Sequence, residues 1–374
     1  MELRKLKQQE HHKTRALWEL VFPEDTKAFL DYYYYFKTRD NEIFVIEKDG
    51  AVRSMLQLNP YTIQIEKAQH VCHYVVAVAT EEEYRRRGYM GELLRHAMRE
   101  MYDRKEPFTF LMPAAEGIYT PYDFRFVYAQ SRAEDFAACD ALEPGICSDA
   151  ALSDAEETAQ FVQKHFTGKW QVYAVRDAQY YQTQIFEQQS ENGGIRLMRP
   201  DGKLAGLFFY SDEDGLEIRE PLYLEGYESL FRRAVSELMR LRGSSAKIYA
   251  WEGGEKKEPL IMVRILYLAG LLACMKVRAG EEMDCSFAVL DPILKQNSRI
   301  YRIQGGKSTD WSVQVRETED SEGVLAIGAL TSLLFGYQTV EETAREEDVI
   351  LTEHLKTELG KLDTLDRVWL NEIV

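Results

Sequence analysis

The residues best suited to chemistry in this sequence are three consecutive arginines followed by a glycine, Arg85-Arg86-Arg87-Gly88. They stand between an apolar stretch and a segment with helical spacing. The first amides of a helix have no intrahelical partner and lie at the positive end of the helix dipole, and glycine lets a ligand approach the backbone closely. The motif therefore indicates a pyrophosphate-binding turn, to which the arginines add charge.

An arginine cluster considered by itself more often forms a solvated face, and that reading is the alternative here. The buried strand before the turn and the amphipathic helix after it favour an anion site. The segment lacks the Lys-Ser/Thr pair of a nucleoside-triphosphate loop. A cofactor that contains a pyrophosphate is the remaining ligand class.

The elements that must position this turn read as an α/β unit over the first ~130 residues, by apolar periodicity and turn chemistry. The predicted elements are helical segments around Trp18, Leu20 and Tyr32–Phe36, a hairpin of Glu42–Glu47 and Val52–Leu58 that turns at Lys48-Asp49-Gly50, a buried strand His73–Thr80, a helix from Met90 to Met101 and a strand Phe108–Met112.

A weaker second copy of this order lies between residues 195 and 251. It has a hairpin, a strand at Gly215–Leu224, a helix at about Gly226–Leu241 and a strand at Lys247–Trp251. Its strand-to-helix junction, Glu220 to Gly226, carries carboxylates that would repel an anion and a proline that lacks an N–H donor. We therefore expect one anion site in the chain, in the first copy.

From about residue 276 onward, strand-like stretches around Cys285–Leu290, Arg299–Ile303 and Trp311–Arg316 precede two short helices at Ile327–Phe335 and Thr339–Arg345. This order predicts a small α+β domain. A chain of 374 residues exceeds the usual size of a single core, and no long flexible linker interrupts it, so two or three packed domains are expected.

The formal net charge of −16 argues against nucleic acid and favours a cationic ligand such as an amine, although an acidic surface also serves solubility. No apolar run approaches the ~20 residues of a membrane span, and the charged N-terminus has no signal segment, so we expect a cytoplasmic protein. The five cysteines lack the short paired spacings of zinc sites. Buried thiols and no bound metal are expected.

The segment Thr80–Met90 resembles the acetyl-CoA-binding motif of the GNAT superfamily, Gln/Arg-x-x-Gly-x-Gly/Ala, with Arg85 and Gly88 at its fixed positions. Met90 replaces the last small residue, as is familiar in the enhanced-intracellular-survival (Eis) branch. The degenerate second copy, the segment Pro259–Arg264 and a sterol-carrier-like Gly328–Tyr337 extend the resemblance to that branch over essentially the whole chain.

The resemblance implies that backbone groups of Val78, Ala79 and Thr80 pair with the pantetheine arm of acetyl-CoA like an added strand. The side chains of Val78 and Ala79 can pack in the core at the same time. The other cofactor contacts that it implies are Arg86, Arg87, Gly88, Tyr89, Met90, Gly91, Ala114 and Ala115.

Two further residues receive catalytic roles from the resemblance. Tyr119 matches the tyrosine of the Tyr-x-x-x-Gly-Phe/Tyr element, which protonates the departing thiolate, although Asp123 stands where glycine is usual. A phenol with a pKa of ~10 stays protonated at neutral pH. The alternative is that Tyr119 is an ordinary buried aromatic residue of the core. The terminal carboxylate of Val374 would be the base that accepts the proton of the amine. Its free pKa is ~3.5, so it would need desolvation or a relaying water to accept that proton near pH 7.

The fold is mixed α/β (α+β), with tandem GNAT folds, the second degenerate, followed by a sterol-carrier-protein-like domain; the domains are residues 1–135, 136–276 and 277–374. The chain is expected to acetylate an aminoglycoside-, polyamine- or lysine-like amine by direct attack, since no nucleophile stands beside a base.

An acidic cleft between the first two domains is the expected amine site, and a homotrimer or homohexamer is the expected assembly. The alternatives are a catalytically silent CoA-binding regulator and a lipid-binding protein. Retention of both the arginine turn and Tyr119 speaks against the silent regulator.

Overall fold

The protein is described by a computed structural model that covers residues 2–134, 136–140, 142, 145–213, 215–251, 253–254 and 256–372. Three structural units follow one another along the chain. The strands of the first unit are β1 Glu2–Lys5, β2 Glu42–Lys48, β3 Ala51–Ile65, β4 Ala68–Thr80, β5 Phe108–Leu111 and β6 Arg125–Ala133, and its helices are α1 Arg15–Val21, α2 Lys27–Tyr35, α3 Tyr89–Asp103 and α4 Glu116–Tyr119.

Local sequence explains the two elements that frame the arginine turn. The β2–β3 hairpin turns through two residues, Asp49 and Gly50, which both have positive φ, as a tight hairpin requires. Helix α3 buries one apolar face against the sheet, formed by Leu93, Leu94, Ala97, Met98 and Met101. The predicted hairpin, strands and helix of this unit are therefore present.

The second unit repeats the strand, strand, strand, helix, strand order of β2, β3, β4, α3 and β5. Its elements are β7 Cys147–Asp149, α5 Ala155–His165, β8 Val172–Ala174, α6 Ala178–Ser190, β9 Gly194–Met198, β10 Gly206–Ser211, β11 Leu216–Tyr223, α7 Glu228–Arg242, β12 Ala246–Tyr249 and β13 Lys256–Ile265. The repeat is formed by β9, β10, β11, α7 and β12.

The sheets of the two units are continuous. Their strands form one sheet in the order β1-β2-β3-β4-β5-β13-β6-β12-β11-β10-β9-β7, with β13 inserted between β5 and β6. The segment Pro259–Arg264, predicted to belong to the second domain, thus pairs with strands of the first unit. The domain boundaries at 135 and 276 stay predictions, since the chain crosses back between the units.

The third unit is connected by α8 Leu268–Cys274 and contains a five-stranded sheet. Its elements are β14 Lys276–Val277, β15 Met283–Leu290, β16 Ile300–Gly305, β17 Gln314–Glu317, β18 Gly323–Ala326, α9 Ile327–Leu334, α10 Val340–Thr343, β19 Val349–Leu351, α11 Glu353–Leu359, β20 Leu362–Asp363 and β21 Val368–Trp369. Every residue of α9 is buried, and Phe335 packs edge-on against Phe108 of the first unit, 5.6 Å between ring centroids.

The mixed α/β class predicted from the sequence is confirmed. One core cluster draws residues from all three units, among them Phe110, Ile261 and Leu330, which fixes the units against one another. Within the described ranges, none of the helices combines the length and the apolar character needed to cross a bilayer.

Candidate active site

Strand β4 contains a bulge that begins just before the residues predicted to contact the cofactor. Ala77 has a φ of +49°, and Ala77 and Val78 together lie opposite the single residue Leu56 of β3. Such bulges re-aim a strand. Beyond the bulge, the carbonyls of Ala79 and Thr80 already accept hydrogen bonds from the Ser54 hydroxyl at 3.0 Å and the Arg85 guanidinium at 3.1 Å. Ala77 and Val78 thus both lack a partner in the β3–β4 ladder.

Strands β4 and β5 run parallel but diverge. Among the described residues only Tyr74 and Phe110 pair between them, and the Tyr74 hydroxyl accepts a hydrogen bond from the Met112 amide at 3.2 Å, just past the end of β5. The gap that opens is bordered on one side by Val78 to Thr80 and on the other by the exposed Ala114 and Ala115. A parallel pair that splays in this way leaves backbone groups for an extended ligand.

The arginine turn closes one end of this gap. Arg86 and Gly88 have left-handed backbone conformations, with φ of +60° and +83°, and Gly88 is the N-cap of α3. Arg85 before them is extended, so the backbone turns sharply over the three residues that precede α3. No side chain caps α3, so the amides of its first turn remain available for an anion.

The three arginines of the turn are exposed to solvent, and Arg87 is held in place by contacts with neighbouring residues. Tyr84 carries the Arg87 guanidinium over its ring at 5.0 Å and stacks on Tyr89 at 6.1 Å. Arg87 also donates to the Glu83 carbonyl at 2.8 Å. Arg85, Arg86 and Arg87 are all exposed, so their charge faces solvent rather than a buried carboxylate.

The first turn of α3 is crowded. Met90 is half-buried against the core of the first unit, and a Cβ added at Gly91 would lie 2.4 Å from the Tyr122 hydroxyl. Glycine at position 91 therefore lets Tyr122, which follows α4 by three residues, approach the pyrophosphate turn. These features fit a pyrophosphate-containing ligand sterically and electrostatically.

Tyr119 ends α4 and lies in the same apolar cluster as Val78 and Tyr89, with Phe124 edge-on to its ring at 5.8 Å. It is 8% exposed. Burial raises the pKa of Tyr119 to about 12. The phenol therefore keeps its proton across the physiological range, and no other described residue engages its hydroxyl.

The turn after Tyr119 contains a residue network that the sequence did not reveal. Asp123 adopts the left-handed conformation, φ +64°, in place of the usual glycine. Its carboxylate lies 3.8 Å from Arg264 of β13, and burial raises the pKa of Asp123 although Arg264 opposes this. Arg264 is fully buried and forms two hydrogen bonds, 2.9 and 2.6 Å, with Asp291 of the third unit.

A signal for this network was present in the sequence, since an arginine inside the apolar run of β13 must be paired if it is buried. Its partners could not be read, because Asp123 and Asp291 are distant in sequence. Arg264 thus ties the turn that follows Tyr119 to the third unit.

The C-terminal segment runs toward the first unit. Strand β21 pairs in parallel with β8, which in turn pairs with β3. Glu372 is buried and accepts hydrogen bonds from Arg176 at 3.1 Å and Tyr180 at 2.7 Å. Burial raises the pKa of Glu372, and Arg176 opposes the shift. The predicted base, Val374, lies outside the described residues.

Tyr119 and Glu372 both influence the pKa of the buried Tyr74. Burial raises the pKa of Tyr74, and the neighbouring Tyr61, Tyr119 and Glu372 raise it further. The charge of Glu372 is therefore felt at Tyr74, which pairs with Phe110 where β4 and β5 meet.

A cavity of about 700 Å³ lies between the first and second units, where an amine-binding cleft was expected. Its charged lining residues are Lys37, Arg39, Asp40 and Asp177, so the expected acidic lining is not found: the formal charges of the wall balance. Burial, followed by the negative charges of Glu372, Glu187 and Asp40, raises the pKa of Tyr61 in this wall. Two of these carboxylates, Glu187 and Glu372, are not among the residues that line the cavity.

Comparison with known protein families finds two matches, one at each end of the chain. Residues 2–127 match the family of acetyltransferase (GNAT) domains, and residues 268–372 match the family of sterol carrier protein domains. No curated protein matches the chain in sequence.

Several solved structures share the fold over nearly the whole chain. A protein of unknown function from Enterococcus faecalis V583, described as a probable N-acyltransferase, has a TM-score of 0.79 at 17% identity and covers 98% of this chain and 96% of its own. A GCN5-related N-acetyltransferase from Anabaena variabilis has a TM-score of 0.76 at 15% identity, with 98% and 99% covered. Eis1 from Mycobacterium abscessus has a TM-score of 0.67 at 15% identity, with 97% of each chain covered.

Proposed function

The chain is an acyltransferase that carries a GNAT domain within an Eis-like fold, and from this premise we propose that it transfers the acetyl group of acetyl-CoA to an amine. The observation that carries the proposal is the splayed gap between β4 and β5, which has the exposed arginine turn at one end and borders the cluster that holds Tyr119. Val78, Ala79 and Thr80 would face the pantetheine arm. Arg86, Arg87, Gly88, Tyr89, Met90 and Gly91 would surround the pyrophosphate, with Ala114 and Ala115 across the gap.

In the proposed reaction the amine nitrogen attacks the thioester carbonyl carbon directly. A C–N bond forms, the C–S bond breaks, and the amine proton passes to a base. Tyr119 donates its proton to the leaving sulfur, a role that its pKa of about 12 supports because the group is protonated before the transfer. Positioning of the two substrates supplies most of the remaining rate enhancement.

We propose the carboxylate of Val374 as the base. Support comes from Glu372, two residues earlier in the chain, which is buried and whose charge contributes to the raised pKa of Tyr74. A desolvated carboxylate would be a better base than one in water, because burial disfavours its charged form. A water molecule between the carboxylate and the amine would serve equally well in the proton transfer.

The cavity between the first two units is the proposed amine site. Phe36 and Phe186 stack across this junction with ring centroids 4.5 Å apart, and Tyr61, Asp40 and Asp177 add polar groups. An aminoglycoside-, polyamine- or lysine-like amine could use the hydroxyls, carboxylates and aromatic faces of this wall, in which Lys37 and Arg39 balance the two carboxylates. Lipid binding receives less support, because a cavity in the third unit is lined by polar and charged groups such as Asp284, Gln304 and Glu358.

Steady-state acetylation of a polyamine and aminoglycoside panel tests the proposal. Tyr119→Phe should lower kcat by about 10²-fold or more while the KM for acetyl-CoA stays within twofold, since only the proton donor is removed. Deletion of Val374 should lower kcat similarly. The matched control is Tyr249→Phe, which removes a phenol from the second unit.

If both active-site variants retained full activity, the mechanism would be wrong. Binding of CoA without turnover of any amine would instead favour the silent regulator. A homotrimer or homohexamer is also expected, and light scattering of the purified chain would measure it.

A further inference from the structure

A basic depression lies beside helix α3, on the side that faces the third unit. It has a volume of about 540 Å³, and its charged lining residues are Arg95, Arg99, Lys295 and Arg299. Of the described residues, those that line this depression include no carboxylate, in a chain whose net charge is −16. Such a local concentration of cations in an acidic protein favours a ligand with several negative charges.

The four cations are poorly neutralised. Among the described residues, Arg95, Arg99 and Lys295 have no carboxylate within ion-pair distance, and the Arg299 Nε lies 3.8 Å from the exposed Glu317 carboxylate. Arg95 and Arg99 are four residues apart on one helix, where like charges destabilise the helix. This contrasts with Arg176 and Arg264, which are buried in tight pairs with carboxylates.

The depression adjoins the pyrophosphate turn. Arginine side chains on a helix point back toward its N-terminus. In agreement, a Cβ added at Gly91 would lie 3.2 Å from one terminal nitrogen of Arg95, and the Arg95 guanidinium lies 5.8 Å from the centre of the Tyr122 ring. Four residues of helix, a rise of about 6 Å, separate the level of Gly91 from that of Arg95. A ligand held at the first turn of α3 could extend directly into the basic depression.

Coenzyme A carries such an extension, since its adenosine bears a 3′-phosphate in addition to the pyrophosphate. We propose that the depression formed by Arg95, Arg99, Lys295 and Arg299 binds this 3′-phosphate. The planar guanidinium groups of Arg95 and Arg99 suit a phosphate monoester, and Lys295 and Arg299 approach it from the third unit. The inference rests on the proposed function, and it assigns to the third unit a part in recognising the cofactor.

The experiment compares acetyl-CoA with 3′-dephospho-acetyl-CoA by calorimetric titration and steady-state kinetics. The wild-type chain should bind acetyl-CoA about tenfold or more tightly than the dephospho form, as one or two charge-assisted hydrogen bonds to phosphate would give. The double variant Arg95→Gln/Arg99→Gln should reduce this preference below about threefold and leave the affinity for the dephospho form unchanged.

Two controls keep the outcome interpretable. Arg345→Gln removes an arginine of the third unit elsewhere and should preserve the preference. Arg95→Lys keeps the charge and should retain part of the preference for acetyl-CoA over the dephospho form. Thermal melting of each variant checks that the fold is intact. Lys295→Gln should weaken the preference from the side of the third unit.

The outcomes separate this inference from the proposed function. Turnover of both cofactors by the wild type with equal KM, or an equal loss of affinity for both in the double variant, would overturn the phosphate site while the transferase function stands. Failure of the wild type to bind either cofactor would overturn the proposed function itself. Tight binding of inorganic phosphate or of nucleic acid at the depression, with no difference between the two cofactors, would assign it to another anion.

Discussion

The strand before the arginine turn and its counterpart in the second unit contain the same backbone irregularity. In β4 the bulge begins at Ala77, φ +49°, and in β11 it begins at Glu220, φ +52°; in each case two residues lie opposite one on the preceding strand. A glycine with positive φ then precedes the helix in both units, Gly88 before α3 and Gly226 before α7. The shared feature shows that the backbone geometry of the site is a property of the repeated fold.

The two units differ in the connection between the bulge and the helix. Ten residues separate Ala77 from Gly88, whereas five separate Glu220 from Gly226, and the arginines fall in the longer connection. The second unit keeps a cleft of about 440 Å³ beside its bulge, but Trp170, Trp251 and Trp369 line it and Glu220 borders it. The bulge therefore occurs beside a gap in both units, and the two connections differ in length and charge, the features on which the proposed binding of an anion depends.

The units also place their charges differently. The first unit exposes Arg85, Arg86 and Arg87 to solvent, whereas the second buries Arg176 between Glu220 and Glu372. Trp369 and Asn371 donate to the same Glu220 carboxylate, at 2.9 and 2.6 Å. In the second unit the carboxylate of the bulge therefore organises the C-terminal segment instead of a ligand.

The largest effect should come from making the first connection resemble the second in charge. Arg86→Glu/Arg87→Glu should weaken CoA binding by about 10²-fold or more, because two cations beside the pyrophosphate become anions. Calorimetric titration with CoA measures this. Arg240→Glu/Lys247→Glu changes the net charge equally in the second unit and should leave the affinity within about threefold. Equal losses in both double variants would mean that only overall charge matters.

A smaller effect is expected from removing the charge that organises the second unit. Glu220→Ala leaves Arg176 buried with one carboxylate fewer and should lower the free energy of unfolding by about 3–5 kcal/mol, measured by urea denaturation. The exposed Glu225→Ala at the same junction should change it by less than about 0.5 kcal/mol. CoA affinity should be retained by the folded Glu220→Ala protein. A loss of CoA binding without loss of stability would contradict a purely structural role for Glu220.

The smallest effect concerns pH. Burial raises the pKa of Glu191, in the second unit, to about 7, although Arg219 lies 3.3 Å away and opposes the shift. Since the folded state holds this proton more tightly than the unfolded chain, the contribution to stability is full below the ordinary glutamate pKa and is lost as the pH rises through about 7. Glu191→Gln should remove about 2 kcal/mol of the stability change between pH 5.5 and pH 8.

Denaturation curves across this pH range, with Glu225→Gln as the exposed control, measure the difference. Identical pH profiles for Glu191→Gln and the wild type would show that Glu191 titrates alike in the folded and unfolded chains.

Much of the fold was predictable because its signals are local. The alternation of β2 and β3, the Asp49-Gly50 turn and the apolar face of α3 each depend on a few consecutive residues, and the predicted elements are present in the structure. The insertion of β13 between β5 and β6 was not predicted, since strand order depends on pairing between residues more than a hundred positions apart.

For the site, the sequence by itself determined the arginine turn, because the glycine, the charges and the start of the helix are adjacent in the chain and the free amides follow from helix geometry. Tertiary structure decided the rest: the bulge at Ala77, the pairing of Arg264 with Asp291 and the joining of Arg95 to Lys295 across two units. Those arrangements depend on how buried surfaces pack and which charges are desolvated together, and neither is encoded in any short run of residues.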